Sequence, residues 1–158
     1  MNELKVTKIL FVCLGNICRS PMAEFIMKQM VEQRGIADKF YIESCATSNE
    51  EVGNPVYPPA RQVLQSRGIN CSAKRARRIT KGDYDRFDYI VCMDSDNLRN
   101  LKLMFPNDNG KKISKILSFA GIDRDVADPW YSGDFTATEE DVVIGCEAIL
   151  KFIENNEV

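Results

Sequence analysis

Apolar positions run through this chain in two rhythms. Ile9-Leu10-Phe11-Val12 is unbroken, as in a strand buried on both faces, and predicts a first strand over residues 8–14. Ala23, Ile26, Met27 and Met30 then recur at helical spacing. They predict a helix over residues 21–34, opened by Pro21, whose missing N–H does no harm in a first turn, and closed near Gly35. Residues 39–44 read as a short second strand, and 59–67 as a helix stopped by Gly68. Tyr89-Ile90-Val91-Cys92-Met93 gives a third buried strand over 88–93, followed by a helix over 95–105 that Pro106 ends. Residues 112–118 read as a fourth strand. A terminal helix over 138–155 turns Val142, Cys146, Ile149 and Ile153 inward, with Thr136/Glu139 and Thr138/Asp141 at capping-box spacing. Strands alternating with helices predict a three-layer α/β fold, a four-stranded parallel sheet flanked by helices. In such sheets ligands bind beyond the carboxyl ends of the strands, where Cys13 falls.

Composition narrows the class. At 158 residues the chain reads as a single domain, 1–158, with room for a full core. A hydrophobic share of 44% and a charged share of 28% suit a soluble globular protein. A net charge of −2 gives no pull toward nucleic acid or a membrane surface. No apolar run reaches bilayer-spanning length, and Met1-Asn2-Glu3-Leu4-Lys5 has no leader pattern. The six cysteines show no C-x2-C spacing, and the chain has no histidine. No metal and no cofactor is therefore expected, and free thiols point to the cytoplasm. Without histidine, Ser-His and Cys-His catalysis is excluded. A general acid must then be a carboxylate, cysteine, tyrosine or lysine.

Candidate chemistry sits between the first strand and helix. Val12-Cys13-Leu14-Gly15-Asn16-Ile17-Cys18-Arg19-Ser20-Pro21 puts a cysteine and an arginine at C-x5-R spacing. A tight loop between strand and helix aims backbone N–H groups, and the positive helix end, at one point. Residues 14–20 are the expected oxyanion cradle. Cys13 at its mouth suits a thiolate nucleophile, and Arg19 offers a bidentate fork for a tetrahedral oxyanion. The combination fits phosphoryl transfer through a cysteinyl-phosphate. Cys13 and Cys18 flank one tight loop, so peroxide should give a reversible Cys13–Cys18 disulfide.

These residues resemble the signature of the low-molecular-weight protein tyrosine phosphatases, V-C-x-G-N-x-C-R-S-P. Asp128-Pro129-Trp130-Tyr131, in the long gap before the terminal helix, resembles the family's D-P-[aromatic]-[aromatic] motif. Ser44-Cys45-Ala46-Thr47-Ser48 resembles its D-S-A-[AG]-T segment, with Glu43 for the usual Asp. The resemblance implies the phosphotyrosine phosphatase I version of a Rossmann-like fold. It implies hydrolysis of phosphotyrosine proteins or peptides and small aryl phosphates, by a monomer or weak homodimer. It gives Cys13 as nucleophile, Arg19 as oxyanion ligand and Asp128 as the acid that protonates the leaving phenolate and later activates water. It gives Asn16 and Ser44 as braces and Ser20 as a donor to the thiolate, with Asp94 in support. Read alone, Asp94 suits a cap of the helix from Ser95, and Ser44 suits a bond to its own loop. Trp130 and Tyr131 would wall a deep, flat slot for an aryl ring; anchoring the loop is the alternative.

Departures bear on specificity. Many animal members carry histidine where Lys74 stands and an aromatic where Glu50 stands. Glu50 at the substrate rim is then expected to disfavour acidic flanks. Lys74, Arg75, Arg77, Arg78 and Lys81 lack interleaved aromatics, so they read as a solvated basic face and not a nucleic-acid site. Three rival functions are weighed. Arsenate reduction needs a C-x6-C relay from Cys92, and Arg99 stands at its second position. Arginine phosphatases resemble C-T-G-N-T-C-R-S, whereas Leu14 and Ile17 stand here. A silent phosphotyrosine reader would need neither Cys13 nor Asp128.

Overall fold

The computed structural model describes residues 5–109 and 111–156. Met1–Leu4, on which the leader reading mainly rests, lie outside them. Four strands, β1 (Thr7–Cys13), β2 (Phe40–Ala46), β3 (Tyr89–Cys92) and β4 (Ile113–Lys115), form one sheet in the order β2-β1-β3-β4. Every pairing is parallel, with Cys13 opposite Ala46 and Val12 opposite Cys92. The helices are α1 (Arg19–Gln33), α2 (Pro58–Ser66), α3 (Lys81–Arg86), α4 (Ser95–Met104), the single turn α5 (Pro129–Ser132) and α6 (Phe135–Asn156).

Strand alternation sorts the side chains into two cores. Ile9, Phe11 and Val91 face one way and pack with Met22, Ile26, Met27 of α1, Leu64 of α2 and Val142, Cys146, Ile149 of α6. Leu10, Val12, Ile90 and Cys92 face the other way and meet Phe87 and Leu101. That is the three-layer arrangement. α6 lies so close to the turn after β4 that a Cβ on Gly145 would sit 2.4 Å from Ile116 Cγ1. Only glycine fits there without repacking.

Element boundaries differ from the sequence reading for local reasons. β1 stops at Cys13, because the Leu14 carbonyl turns away to accept from Ser48 N. α1 starts at Arg19, two residues before Pro21, which still lies in the first turn, where backbone N–H groups have no helical partner. β2 runs on to Ala46, which is itself bridged to Arg78. The fourth strand is only 113–115; residues 116–120 curl into a tight helical turn that buries both Ile116 and Leu117. α3, not anticipated, is started by a Thr80–Asp83 capping box. The terminal helix starts at Phe135, capped by Asp134, whose carboxylate accepts from Ala137 N at 2.9 Å. The expected caps do other work. Glu139 pairs with Arg67, Asp141 with Arg124, and the Thr138 hydroxyl contacts the Ala127 and Asp134 carbonyls.

Candidate active site

β1 delivers Cys13 to the carboxyl edge of the sheet, and α1 begins at Arg19. Several carbonyls around the loop bond to neighbouring segments. Cys13 O accepts from Thr47 N, Leu14 O from Ser48 N and Oγ, and Ile17 O from Tyr57 N. Among the described residues the N–H groups of Leu14, Gly15, Ile17, Cys18 and Arg19 meet no acceptor. Cys18, at the N-cap of α1, supplies no side-chain cap. The loop thus keeps a set of donors and a helix N-terminus available for an anion. A Cβ on Gly15 would lie 3.2 Å from Glu51 Cγ, so this turn of the loop is tightly packed.

Asn16 holds the loop from beneath. Its backbone is left-handed (φ 61°), a conformation asparagine tolerates better than most residues. Its Nδ2 donates to Ser20 Oγ (2.7 Å) and Ser44 Oγ (2.9 Å), its Oδ1 accepts from Arg77 N, and its own N–H points to Cys13 Sγ at 3.3 Å. Ser20 Oγ lies 3.0 Å from Cys13 Sγ and 3.4 Å from the Cys45 carbonyl. Because Asn16 already fills an acceptor position on Ser20, the shorter contact makes the sulfur the better target for the hydroxyl proton. Ser44 Oγ donates a hydrogen bond to buried Glu24 (2.5 Å). Ser44 therefore braces the loop and does not bond its own backbone. Lys74 closes the group, donating to the Ser44 carbonyl (2.8 Å) and standing 3.4 Å from Glu24.

Arg19, with its side chain only 3% exposed, crosses the floor. Its Nη1 donates to Asp94 Oδ2 (2.7 Å) and to the Val126 carbonyl (2.9 Å). Asp94 does both jobs considered for it: Oδ1 caps α4 through Asn97 N, while Oδ2 holds Arg19. Nη2 stands 3.5 Å from Asp128 Oδ2. Among the described residues Nε and Nη2 make no hydrogen bond, which leaves one edge of the guanidinium open. Burial would weaken that charge, but the neighbouring Cys13, Asp94 and Asp128 outweigh it and hold its pKa above the ordinary value. Burial, reinforced by Cys13 and Asp128, pushes the Cys18 thiol up to about 12.

One cleft is lined by Cys13, Leu14, Gly15, Ile17, Cys18 and Arg19 and, from the other side, by Glu50, Glu51, Asp128, Trp130 and Tyr131. Asp128 starts the α5 turn by accepting from Trp130 N (3.0 Å), with its second oxygen toward Arg19. Trp130 leans on Tyr57 at 4.8 Å between rings. Trp130 is 53% and Tyr131 82% exposed, so the expected deep slot is instead an open-sided cleft. The basic segment is a solvated face only in part: Arg75, Arg78 and Lys81 are exposed, while Lys74 and Arg77 are half-buried. Arg77 grips Asp83 with two bonds, Arg78 reaches the Thr47 carbonyl, and Lys74 sits under Ser44. Cys92 lies in the core opposite to the one that holds Cys13, so the sheet separates the two thiols.

Sequence reasoning missed Glu24, Glu51, Tyr57, Arg77 and Val126. Glu24 left one trace, an acidic residue beside Ala23 on the apolar side of a helix. Val126 acts through its carbonyl, which no side-chain pattern encodes. Among the described residues no group of three His, Cys, Asp or Glu is placed to hold a metal ion.

The sequence model of the family described as low molecular weight phosphotyrosine protein phosphatase matches residues 8–158. The chain is 36% identical to the low molecular weight protein-tyrosine-phosphatase YfkJ of Bacillus subtilis, covering 92% of this chain and 95% of that protein. It is 40% identical to the low molecular weight phosphotyrosine protein phosphatase of Sus scrofa, over 96% and 98%. The YfkJ crystal structure superposes with a TM-score of 0.93 at 35% identity over 98% of each chain. A crystal structure of DARP, the Drosophila arginine phosphatase, gives 0.87 at 31% identity over 96% and 100%. With the loop, the arginine and the aspartate assembled in one cleft, these likenesses establish that the chain belongs to the low molecular weight phosphotyrosine protein phosphatase family.

Proposed function

We propose that this chain, as one catalytic domain over residues 1–158, hydrolyses phosphotyrosine and small aryl phosphates through a cysteinyl-phosphate. The observation that carries the reading is the convergence of Cys13, Arg19 and Asp128 on one cleft whose loop N–H groups are unclaimed. In the first step Cys13 Sγ attacks phosphorus. The S–P bond forms as the P–O bond to the aryl group breaks, and Asp128 gives its proton to the leaving oxygen. The open edge of Arg19 and the loop amides hold the equatorial oxygens. In the second step water attacks phosphorus, Asp128 takes a proton from it, and the S–P bond breaks to release phosphate. Ser20 and Asn16 aim donors at the sulfur that attacks and then departs.

Trp130 and Tyr131 flank the path of an aryl ring, and Glu50 and Glu51 make the rim acidic, which favours phosphotyrosine with neutral or basic flanks. Phosphoarginine is a second reading, favoured by the likeness to the Drosophila enzyme; Ile17 in place of threonine weighs against it. Partners are phosphotyrosine proteins or peptides, and a monomer or weak homodimer suffices because the described chain supplies the whole cleft. No described helix is long and apolar enough to cross a membrane. Six free, buried cysteines support a reducing, cytoplasmic setting. Peroxide is expected to join Cys13 to Cys18 reversibly, with dithiothreitol restoring activity.

Turnover of p-nitrophenyl phosphate beside phosphotyrosine, phosphoserine and phosphoarginine peptides tests the reading. Efficient hydrolysis of phosphotyrosine, unaffected by chelator, is expected. Preference for phosphoarginine would transfer the assignment to the second reading.

A further inference from the structure

The acid loop is fastened by a contact that no catalytic step uses. Asp125, three residues before Asp128, accepts on a single oxygen from Ser95 N, Ser95 Oγ and Lys115 Nζ, each at 3.0 Å. Lys115 Nζ also reaches Ser95 Oγ at 3.2 Å. Ser95 is the first residue of α4, and Lys115 is the last of β4. The next links run through the same turn: Val126 N donates to the Met93 carbonyl, and Val126 O accepts from Arg19, which Asp94 also holds. Residues 93–95 thus grip both the loop and Arg19.

We propose that Lys115 and Asp125 are positioning residues for the reaction: with Ser95 they lock the acid loop onto the sheet edge, so that Asp128 stands over Arg19 and the leaving group. The proposal rests on the reading of Asp128 as proton donor. The alternative is an ordinary surface ion pair, which usually contributes little. Three features set this one apart. Both anchoring partners belong to elements other than the loop. The carboxylate collects three donors on one oxygen. The distance to the acid is three residues, short enough for a slip at Asp125 to move Asp128 by the fraction of an ångström that matters for proton transfer. Burial would raise the Asp125 pKa, but Lys115 and Ser95 hold it below its usual value, so the carboxylate stays charged and keeps its grip.

The test measures kcat/KM on p-nitrophenyl phosphate, a good leaving group, and phenyl phosphate, a poor one. Lys115→Met, Asp125→Asn, Lys115→Arg and Asp128→Asn are compared. The ratio of the two substrates is internal to each preparation, so partial unfolding cancels. Lys115→Met and Asp125→Asn are expected to lose about tenfold on phenyl phosphate and under about twofold on p-nitrophenyl phosphate. Inhibition by inorganic phosphate should stay unchanged, because neither Lys115 nor Asp125 touches the phosphate loop and Arg19 keeps its own bond to Asp94. Lys115→Arg should preserve the ratio. The double variant should be no worse than either single one, since both break one link. Equal losses on both substrates, or weakened phosphate inhibition, would reduce the clamp to a structural role. If Asp128→Asn itself showed no leaving-group preference, the acid assignment would fail and the clamp with it. A selective Asp128→Asn beside uniform losses in the other two would sink the clamp alone.

Discussion

Two segments meet at Arg19, and they are held by different forces. Residues 13–20 are buried or half-buried, none exposed, and their ties are largely short hydrogen bonds to β2, to residues 47–48 and to Tyr57, with Asn16 at the centre. Residues 123–133 are mostly exposed and hang on charged contacts, Arg124 to Asp141 and Asp125 to Lys115, with Val126 and Pro129 as buried plugs. Buried polar networks are stiff, since every broken bond strands a polar atom away from water. The acid segment hangs instead on a few localised ties, of which the three donors gathered on Asp125 are one. The oxyanion cradle must be ready before substrate arrives. Asp128, in its proposed role as acid, must meet leaving oxygens of different shape from an open side. The contrast in construction follows the contrast in task.

Breaking the cradle should have the largest effect. Cys13→Ser is expected to abolish turnover while phosphate and vanadate still bind, because the loop amides and Arg19 remain; calorimetry with vanadate checks this. Arg19→Lys should be nearly as severe, since an ammonium cannot serve Asp94, Val126 and two phosphate oxygens at once. Breaking the acid segment should cost less. Asp128→Asn is expected to slow phenyl phosphate hydrolysis by ~10² to 10⁴-fold, with a smaller loss on p-nitrophenyl phosphate, as steady-state kinetics on the two would reveal. Equal losses would make Asp128 a turn-former only.

The smallest effect sharpens the comparison at the cradle's outer support. Asp83 is buried and grips Arg77, whose N–H holds Asn16. Burial alone would raise its carboxyl pKa, but Arg77 and Thr80 win and keep it below the ordinary 3.8. A depressed folded value means the stabilisation is complete above the unfolded pKa and disappears as pH falls through the folded one. Asp83→Asn should therefore lower stability by about 2 kcal/mol at neutral pH, and the gap to the parent should narrow in acid below the ordinary value. Urea unfolding at neutral and acidic pH measures both. A gap that stayed constant would mean the Asp83 charge contributes nothing.

How far the sequence could be read depended on the range of the cause. Ile9–Val12 and Tyr89–Met93 announced buried strands, because burial on both faces leaves no polar position. Helix α3 escaped, since six residues with a polar start carry no apolar period. The fourth strand was overread, because an apolar pair such as Ile116-Leu117 looks the same in a strand and in a tight buried turn. At the site, Cys13 and Arg19 were legible from their C-x5-R spacing, and Asp128 from the resemblance of its segment to the family's D-P-[aromatic]-[aromatic] motif. Trp130 and Tyr131 were legible as cleft-lining residues but not as exposed ones, because exposure is set by what packs over a ring.

The sequence alone determined the layer order and the position of the thiol at the end of a strand, and its motifs singled out Cys13, Arg19 and Asp128. The layers and the place of the thiol follow from local periodicity, the Cys13–Arg19 pair from its spacing, and Asp128 from the resemblance of its segment to the family's motif. Only the tertiary structure decided which partners hold those groups. Asp94 is shared between a helix cap and Arg19, Glu24 is drawn beneath Ser44, and the Val126 carbonyl meets an arginine that begins α1. Each of these bonds joins residues distant along the chain, and several use backbone atoms that every residue carries alike. Such contacts exist only once parallel strands have brought their carboxyl ends to one edge.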